Sequence, residues 1–277
     1  MGLRISTNVA AINAQRVMGS NTREMQKSMA QLSTGSRITK SGDDAAGLAI
    51  SENLKSTIRS YGQASRNAND GISMIQTAEQ AMGEVSNILT RVRELGIQAS
   101  SDTIGDSERG FIQSEVDALK AEVQRVAEST SFGSRKLLNG TGGVYDIHVG
   151  TSANPSTDWI GYDAGQTNVT TDALGIASLD FSNKDGAREG LSALDSAQLQ
   201  VNGSRANLGA LQNRLTSTTD VIGTMVESMS AANSRLRDAD IAATTSELAR
   251  NQVLLQGTTS VLSQANQNPM MALKLIG

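Results

Sequence analysis

Cysteine is absent from the 277 residues and histidine occurs once, at His148. A chain without thiols has no disulfide, iron–sulfur cluster, thiolate zinc site or cysteine nucleophile, and one imidazole excludes a His-pair metal site. Aromatic residues are scarce, with one Trp, three Tyr and three Phe, and hydrophobic residues make up 38% against a usual apolar share of about 45–50%. Such a chain cannot fill one large aromatic core. It must bury Ala, Leu, Ile, Val and Met along narrow seams. The net charge of −4 argues against general nucleic-acid binding. No apolar run approaches the ~20 residues that a membrane span needs, and residues 1–40 contain no continuous apolar core of a secretory signal. The length is that of roughly two domains.

What the chain does contain is helical rhythm. From Ala45 to Ala99, Leu54, Tyr61, Ala68, Ile75, Met82 and Leu89 recur every seven residues. Ile58 and Ile72 share that seam, and Val85 and Val92 widen it, close to the spacing of a helix packed along its length. Gly62, Gly71, Gly83 and Gly96 interrupt it, each unfavourable by about 0.8–1 kcal/mol relative to Ala. They are expected to admit a second helix at close range. One helix of this extent would be ~80 Å long, whereas a compact chain of this size is only about 50 Å across. Either the helix breaks or the molecule is a rod, and the unbroken phase favours the rod. A second helix, capped by Asp106 or Ser107, carries Ile112, Val116, Leu119, Val123 and Val126 and ends near Thr130. Between residues 132 and 186 the pattern changes. Asn139-Gly140 is a common type I′ hairpin turn, and Tyr145, Ile147 and Val149 alternate with Asp146 and His148 as a half-buried strand does. Short hairpins and surface loops are expected there. Helical spacing returns from about Ala187 and continues through Leu208, Leu215 and Ile222 to a break near residues 238–240. The last helix repeats Ile241, Leu248, Leu255 and Leu262 at intervals of seven. The first 32 residues hold two short seams, Ile5, Val9 and Ile12, then Met18, Met25, Met29 and Leu32, with a phase slip between them. Between Ile241 and Pro269 the only charges are Glu247 and Arg250. So few charges suit either an ordinary amphipathic helix or burial against neighbouring subunits.

No hydrolase, phosphate-loop or zinc-protease motif is present. Gly140-Thr141-Gly142-Gly143 precedes a strand instead of opening a helix, so it reads as a turn. Asp43-Asp44 precedes the long helix and reads as its N-terminal cap. His148 reads as a solvated side chain on the polar side of its strand. Asn139, Asn168 and Asn202 open N-glycosylation triplets, a pattern frequent by chance.

Four blocks carry a family resemblance. The first is Ser33-Thr34-Gly35-Ser36-Arg37-Ile38, leading to Gly42-Asp43-Asp44-Ala45-Ala46-Gly47-Leu48-Ala49-Ile50. The second is Gln63-Ala64-Ser65-Arg66-Asn67-Ala68-Asn69-Asp70-Gly71-Ile72-Ser73. Near the C terminus stand Ser234-Arg235-Leu236-Arg237-Asp238-Ala239-Asp240 and Thr259-Ser260-Val261-Leu262-Ser263-Gln264-Ala265-Asn266-Gln267. In this order they resemble bacterial flagellin over residues 1–139 and 187–277.

The resemblance implies a mainly α fold: a long antiparallel helical rod with terminal coiled-coil helices and a small β-hairpin region. It pairs residues 1–40 with 241–277 as an inner coiled-coil domain and assigns 41–240 to the rod, without the extra outer domains of longer relatives. It implies a structural subunit, not an enzyme and without cofactors, that leaves the cell through the flagellar type III export channel and polymerises for motility. Ile5, Val9, Ile12, Ile241, Leu248, Leu255 and Leu262 are then the polymerisation seam. Implied partners are further copies of the chain, an export chaperone at the C-terminal helices, and the filament cap and hook-associated proteins. Neither nucleic acid nor membrane is among them. The segment from Thr90 to Gln98 resembles that recognised by the vertebrate flagellin-sensing Toll-like receptor. Arg91, Leu95 and Glu115 match the dominant contact positions, and Gly96 departs from the commoner Ala. The alternative is the related hook–filament junction protein. An enzyme displayed on a filament would need a metal-binding helix with two His.

Overall fold

The computed structural model describes residues 7–276, with side chains to residue 267. Among these residues the fold is mainly α, with two small antiparallel sheets. Two compact units are formed, one by Met1–Ser56 with Ser228–Gly277 and the other by Thr57–Glu227.

In the first unit α1 (Val9–Thr34) packs antiparallel to α6 (Ile241–Ile276). Asn8 fastens one end twice over. Its Oδ1 accepts from the Ala11 N–H at 3.1 Å, capping α1, and its Nδ2 donates to the Ala265 carbonyl at 2.8 Å. At the other end Gly35, at φ 67°, turns the chain out of α1. The Ala239 N–H then donates to the Gly35 carbonyl, and the Arg37 N–H to the Arg237 carbonyl. Asp240 caps α6 through the N–H groups of Ala242 and Ala243, at the break expected there. Buried Ala14 and Ser28 and half-buried Ala11, Met18, Asn21, Met25 and Leu32 of α1 form one seam in steps of three and four. The expected phase slip does not occur, because small Ala11 and Ala14 take the inner positions. On α6 the matching positions are Thr244, Leu248, Asn251, Leu255, Thr258, Leu262 and Ala265.

The second unit holds most of α2 (Ala45–Ala99), with α3 (Asp106–Ser129) and most of α5 (Lys184–Arg237). The α2 helix runs unbroken between the expected limits, and Asp44 caps it by accepting from the Gly47 N–H at 2.8 Å. Asp43 instead closes the preceding turn. At α3 the expected side-chain cap is replaced by Gly105. Asp106 is the first helical residue, and its carboxylate pairs with Arg109. Both neighbours run antiparallel to α2. Arg93, Ser86 and Glu79, descending α2, meet Asp195, Gln198 and Arg205, ascending α5. Ala68, Ile75, Met82, Val85, Leu89 and Val92 of α2 are buried with Val116, Val123, Leu194, Val201, Leu208 and Leu215.

Of the interrupting glycines of α2, only Gly96 admits a helix closely as expected, against Leu191 of α5. A Cβ on Gly71 would lie 2.6 Å from Ile147 of a strand, and one on Gly96 would lie 3.2 Å from the Phe181 ring and from Leu191. Gly62 and Gly83 face open space.

The middle contains two hairpins. β1 (Ser131–Phe132) pairs with β2 (Arg135–Lys136), and β3 (Val144–His148) pairs with β4 (Trp159–Asp163). The β3 strand alternates as expected, with Ile147 buried and Asp146 exposed. Asn139-Gly140 is not a type I′ hairpin turn. That turn needs positive φ at both central residues, and among the described residues only glycines have it. Asn139 Oδ1 instead accepts from the Thr141 N–H at 3.1 Å. Nor are residues 160–181 a loose outer loop. Ile160, Tyr162, Val169, Leu174, Ile176, Leu179 and Phe181 are buried in the core. The Tyr162 hydroxyl donates to the Leu137 carbonyl at 2.9 Å, and burial raises its pKa.

Candidate assembly and recognition surfaces

The seam residues occupy two environments. Leu248, Leu255 and Leu262 are half-buried on the side of α6 that packs on α1. Val9, Ile12 and Ile241 are 67%, 57% and 54% exposed, while Ile5 lies outside the described residues. Val253, Leu254 and Val261 of α6 are also exposed. The two helices therefore satisfy each other along one stripe and leave further apolar side chains uncovered. Exposed apolar side chains along a helix pair are candidate association contacts.

The second surface lies where α2 and α3 run side by side. Arg91 donates to Glu115 Oε1 at 2.8 Å and to Glu94 Oε2 at 3.1 Å. These hydrogen bonds, Glu115 first, raise the pKa of the guanidinium. All three side chains are exposed. Leu95 is not on that face: it is 3% exposed and belongs to the core. Leu95 follows Val92 by three residues and continues the buried seam, so of the three matched positions only Arg91 and Glu115 are exposed.

Sequence reasoning missed several features. Phe111, on α3 near this cluster in sequence, is 77% exposed. Its position one residue off the Ile112–Val116 rhythm was the available signal. The Arg93–Asp195 pair at 2.8 Å had no sequence signal, because it joins residues far apart in the chain. His148 is not simply solvated: its Nε2 meets the Ser152 carbonyl at 2.8 Å, and its ring lies edge-on to Trp159. Among the described residues no group of three or more His, Asp or Glu could hold a metal ion, and no helix is long and apolar enough to cross a membrane.

Helices locked by interhelical hydrogen bonds, with apolar flanks left open on the terminal pair, define a structural protein of the self-associating helical class. Residues 5–142 match the family model of the bacterial flagellin N-terminal helical region, and residues 191–276 match that of the C-terminal helical region. Flagellin of Halalkalibacterium halodurans is 39% identical, covering 98% of this chain and 99% of that one. Flagellin of Bacillus subtilis is 40% identical, covering 99% and 100%. The crystal structure of Bacillus cereus flagellin superimposes with a TM-score of 0.51 at 28% identity, over 61% of this chain and 94% of that one. The chain belongs to the bacterial flagellin family. It is a structural subunit of the flagellar filament, not an enzyme.

Proposed function

We propose that the α1–α6 pair is the polymerisation element and that Val9, Ile12 and Ile241 are covered by neighbouring subunits. The supporting observation is that these side chains stay exposed although α1 and α6 are already paired. Ile5, Leu248, Leu255 and Leu262 complete the seam, the three leucines by holding the pair together. On this reading residues 1–40 and 241–277 form the inner coiled-coil domain and 41–240 the helical rod. The subunit is secreted through the flagellar export channel and assembles outside the cell. An export chaperone covers the C-terminal helices beforehand, and cap and hook-associated proteins meet the same ends in the filament. Seeded polymerisation followed by electron microscopy tests this. Val9→Ser with Ile12→Ser should leave the helix content of the monomer unchanged and abolish elongation on filament seeds. Normal elongation would refute the assignment.

The Arg91–Glu115 pair is also proposed as the contact for the vertebrate flagellin-sensing Toll-like receptor, with Leu95 supporting it from beneath. Arg91→Ala and Glu115→Ala should each raise the monomer concentration needed for receptor activation without lowering thermal stability. Intact filaments should be poor activators. Unchanged dose–response curves would remove this role. An exposed ion pair contributes only about 0–1 kcal/mol to folding, so a loss of activation could not be ascribed to unfolding.

A further inference from the structure

The β3 strand uses only one of its edges. The Val149 N–H donates to the Asp158 carbonyl at 2.7 Å, and the Ala164 N–H donates to the Gly143 carbonyl at 3.3 Å. Between them the register pairs Tyr145 with Tyr162 and Ile147 with Ile160. Hydrogen-bonded and non-hydrogen-bonded pairs alternate along an antiparallel ladder, so the odd-numbered residues carry the bonds to β4. The backbone groups of Val144, Asp146 and His148 therefore point to the opposite edge. Among the described residues only the His148 carbonyl is engaged there, by Asn67 Nδ2 at 3.0 Å.

That edge opens into a groove of about 530 Å³. Asn67, Asp70 and Gly71 of α2 line one side, and the β1–β2 turn, residues 132–135, lines another. Two exposed carboxylates border it, Asp70 and Asp146, and neither has an ion-pair partner among the described residues. Its one full cation, Arg135, is held over the Tyr145 ring at 4.9 Å from the centroid. The groove thus combines unpaired strand donors and acceptors with two carboxylates against one guanidinium, an excess of negative charge.

We propose that the free edge of β3 accepts an extended peptide segment of a partner protein as a third strand, and that the segment carries Lys or Arg. Backbone bonds to Val144, to Asp146 and to the N–H of His148 supply the affinity, as in other strand-addition complexes. Asp70 and Asp146 select the basic side chain. A five-residue strand such as β3 spans about 17 Å at ~3.4 Å per residue, so a pentapeptide covers the edge. This assignment is independent of how the terminal helices assemble.

The probe is a blocked pentapeptide of sequence TVKVT, titrated into the full-length monomer. Trp159, the sole tryptophan, pairs with His148 and reports binding by its emission. Hydrogen exchange reads the amides of Asp146 and His148. Saturable change of Trp159 emission, with at least tenfold slower exchange at both amides, is expected. The Asp70→Asn, Asp146→Asn double variant, whose altered side chains are exposed, should bind at least fivefold more weakly, and so should the peptide TVEVT. No protection of the two amides at saturating peptide would overturn the proposal, as would equal binding of TVKVT and TVEVT. Protection that rises with protein concentration in the absence of peptide would make the occupant a second copy of this chain and likewise overturn it.

Discussion

Arg109 shows how much one buried side chain can organise. Its guanidinium donates to the Ala99 and Ser101 carbonyls, each at 2.9 Å, and to Asp106 Oδ1 at 2.7 Å. It thereby satisfies carbonyls left open where α2 ends and ties them to the start of α3. Arg109→Ala should lower stability by about 2–3 kcal/mol, because hydrogen bonds to charged groups are worth about 1.5–3 kcal/mol and the carbonyls lose their donor. Urea unfolding of the monomer measures this. Arg109→Lys should recover only part, since an ammonium lacks the planar fork. At Asp43 the carboxylate accepts from the Lys40 N–H at 3.1 Å and from the Thr39 hydroxyl and N–H at 3.0 and 3.1 Å. These bonds, that from the Lys40 backbone first, lower its pKa. A lowered folded-state pKa stabilises the turn above the unfolded value of about 3.9, and the effect disappears as pH falls through the lower folded value. Exchange of the Thr39 and Lys40 amides should accelerate on acidification beyond the intrinsic pH trend. Asp43→Asn should abolish that excess. Asp44 was legible as a cap because it directly precedes a long apolar rhythm, whereas the part played by Arg109 was not, since arginine on a helix ordinarily reads as solvated.

At the scale of elements, regular periodicity was legible and irregular packing was not. The limits of α2 and the alternation of β3 followed from spacing, because burial on one face forces a period of 3.6 or 2. The inner seam of α1 was misread because Ala11, Ala14 and Ser28 give little hydrophobic signal where they pack. Short hairpins and surface loops were expected between residues 132 and 186, yet Ile160, Tyr162, Val169, Leu174, Ile176, Leu179 and Phe181 fill the core by tertiary contact alone. This narrows where the chain tolerates change. Residues 151–157 are exposed and their hydrogen bonds are local, from His148 to Ser152 and around Asn154, whereas the Val169 N–H donates to the Leu138 carbonyl at 3.0 Å. A three-residue insertion after Ala153 should leave thermal stability nearly unchanged, while the same insertion after Val169 should unfold the unit. Circular-dichroism melting of the two insertion variants checks this. Glycines within α5 should divide in the same way. A Cβ at Gly190 would meet Phe181 at 2.5 Å, whereas one at Gly209 meets nothing within 4 Å. Gly190→Ala should destabilise by about 1–3 kcal/mol through overpacking. Gly209→Ala should stabilise by roughly 0.8–1 kcal/mol through helix propensity. Chemical denaturation of the monomer would report both signs.

For the whole molecule, the decisive quantity is how little the terminal helices bury by themselves. Their shared seam includes Ala11, Ala14, Asn21, Ser28, Thr244, Asn251 and Thr258, so few large apolar side chains meet there. A fully buried Leu contributes about 1.5–3 kcal/mol, and Leu248, Leu255 and Leu262 are only half-buried. The pair therefore buries little apolar surface for helices of 26 and 36 residues. On the proposed assembly, neighbouring subunits add stabilisation by covering Val9, Ile12, Ile241, Val253, Leu254 and Val261, the side chains that the pair leaves exposed. Folding of the ends is coupled to assembly on that proposal. Limited proteolysis should trim both ends of the monomer within minutes and stop where the second unit begins. The same ends should resist the protease in the filament. In the Val9→Ser, Ile12→Ser variant, trimming of the monomer should be as fast as in the parent chain, because those side chains contribute nothing until a neighbour covers them. Equal resistance of monomer and filament would show that α1 and α6 fold without neighbours, and the coupling argued here would fail.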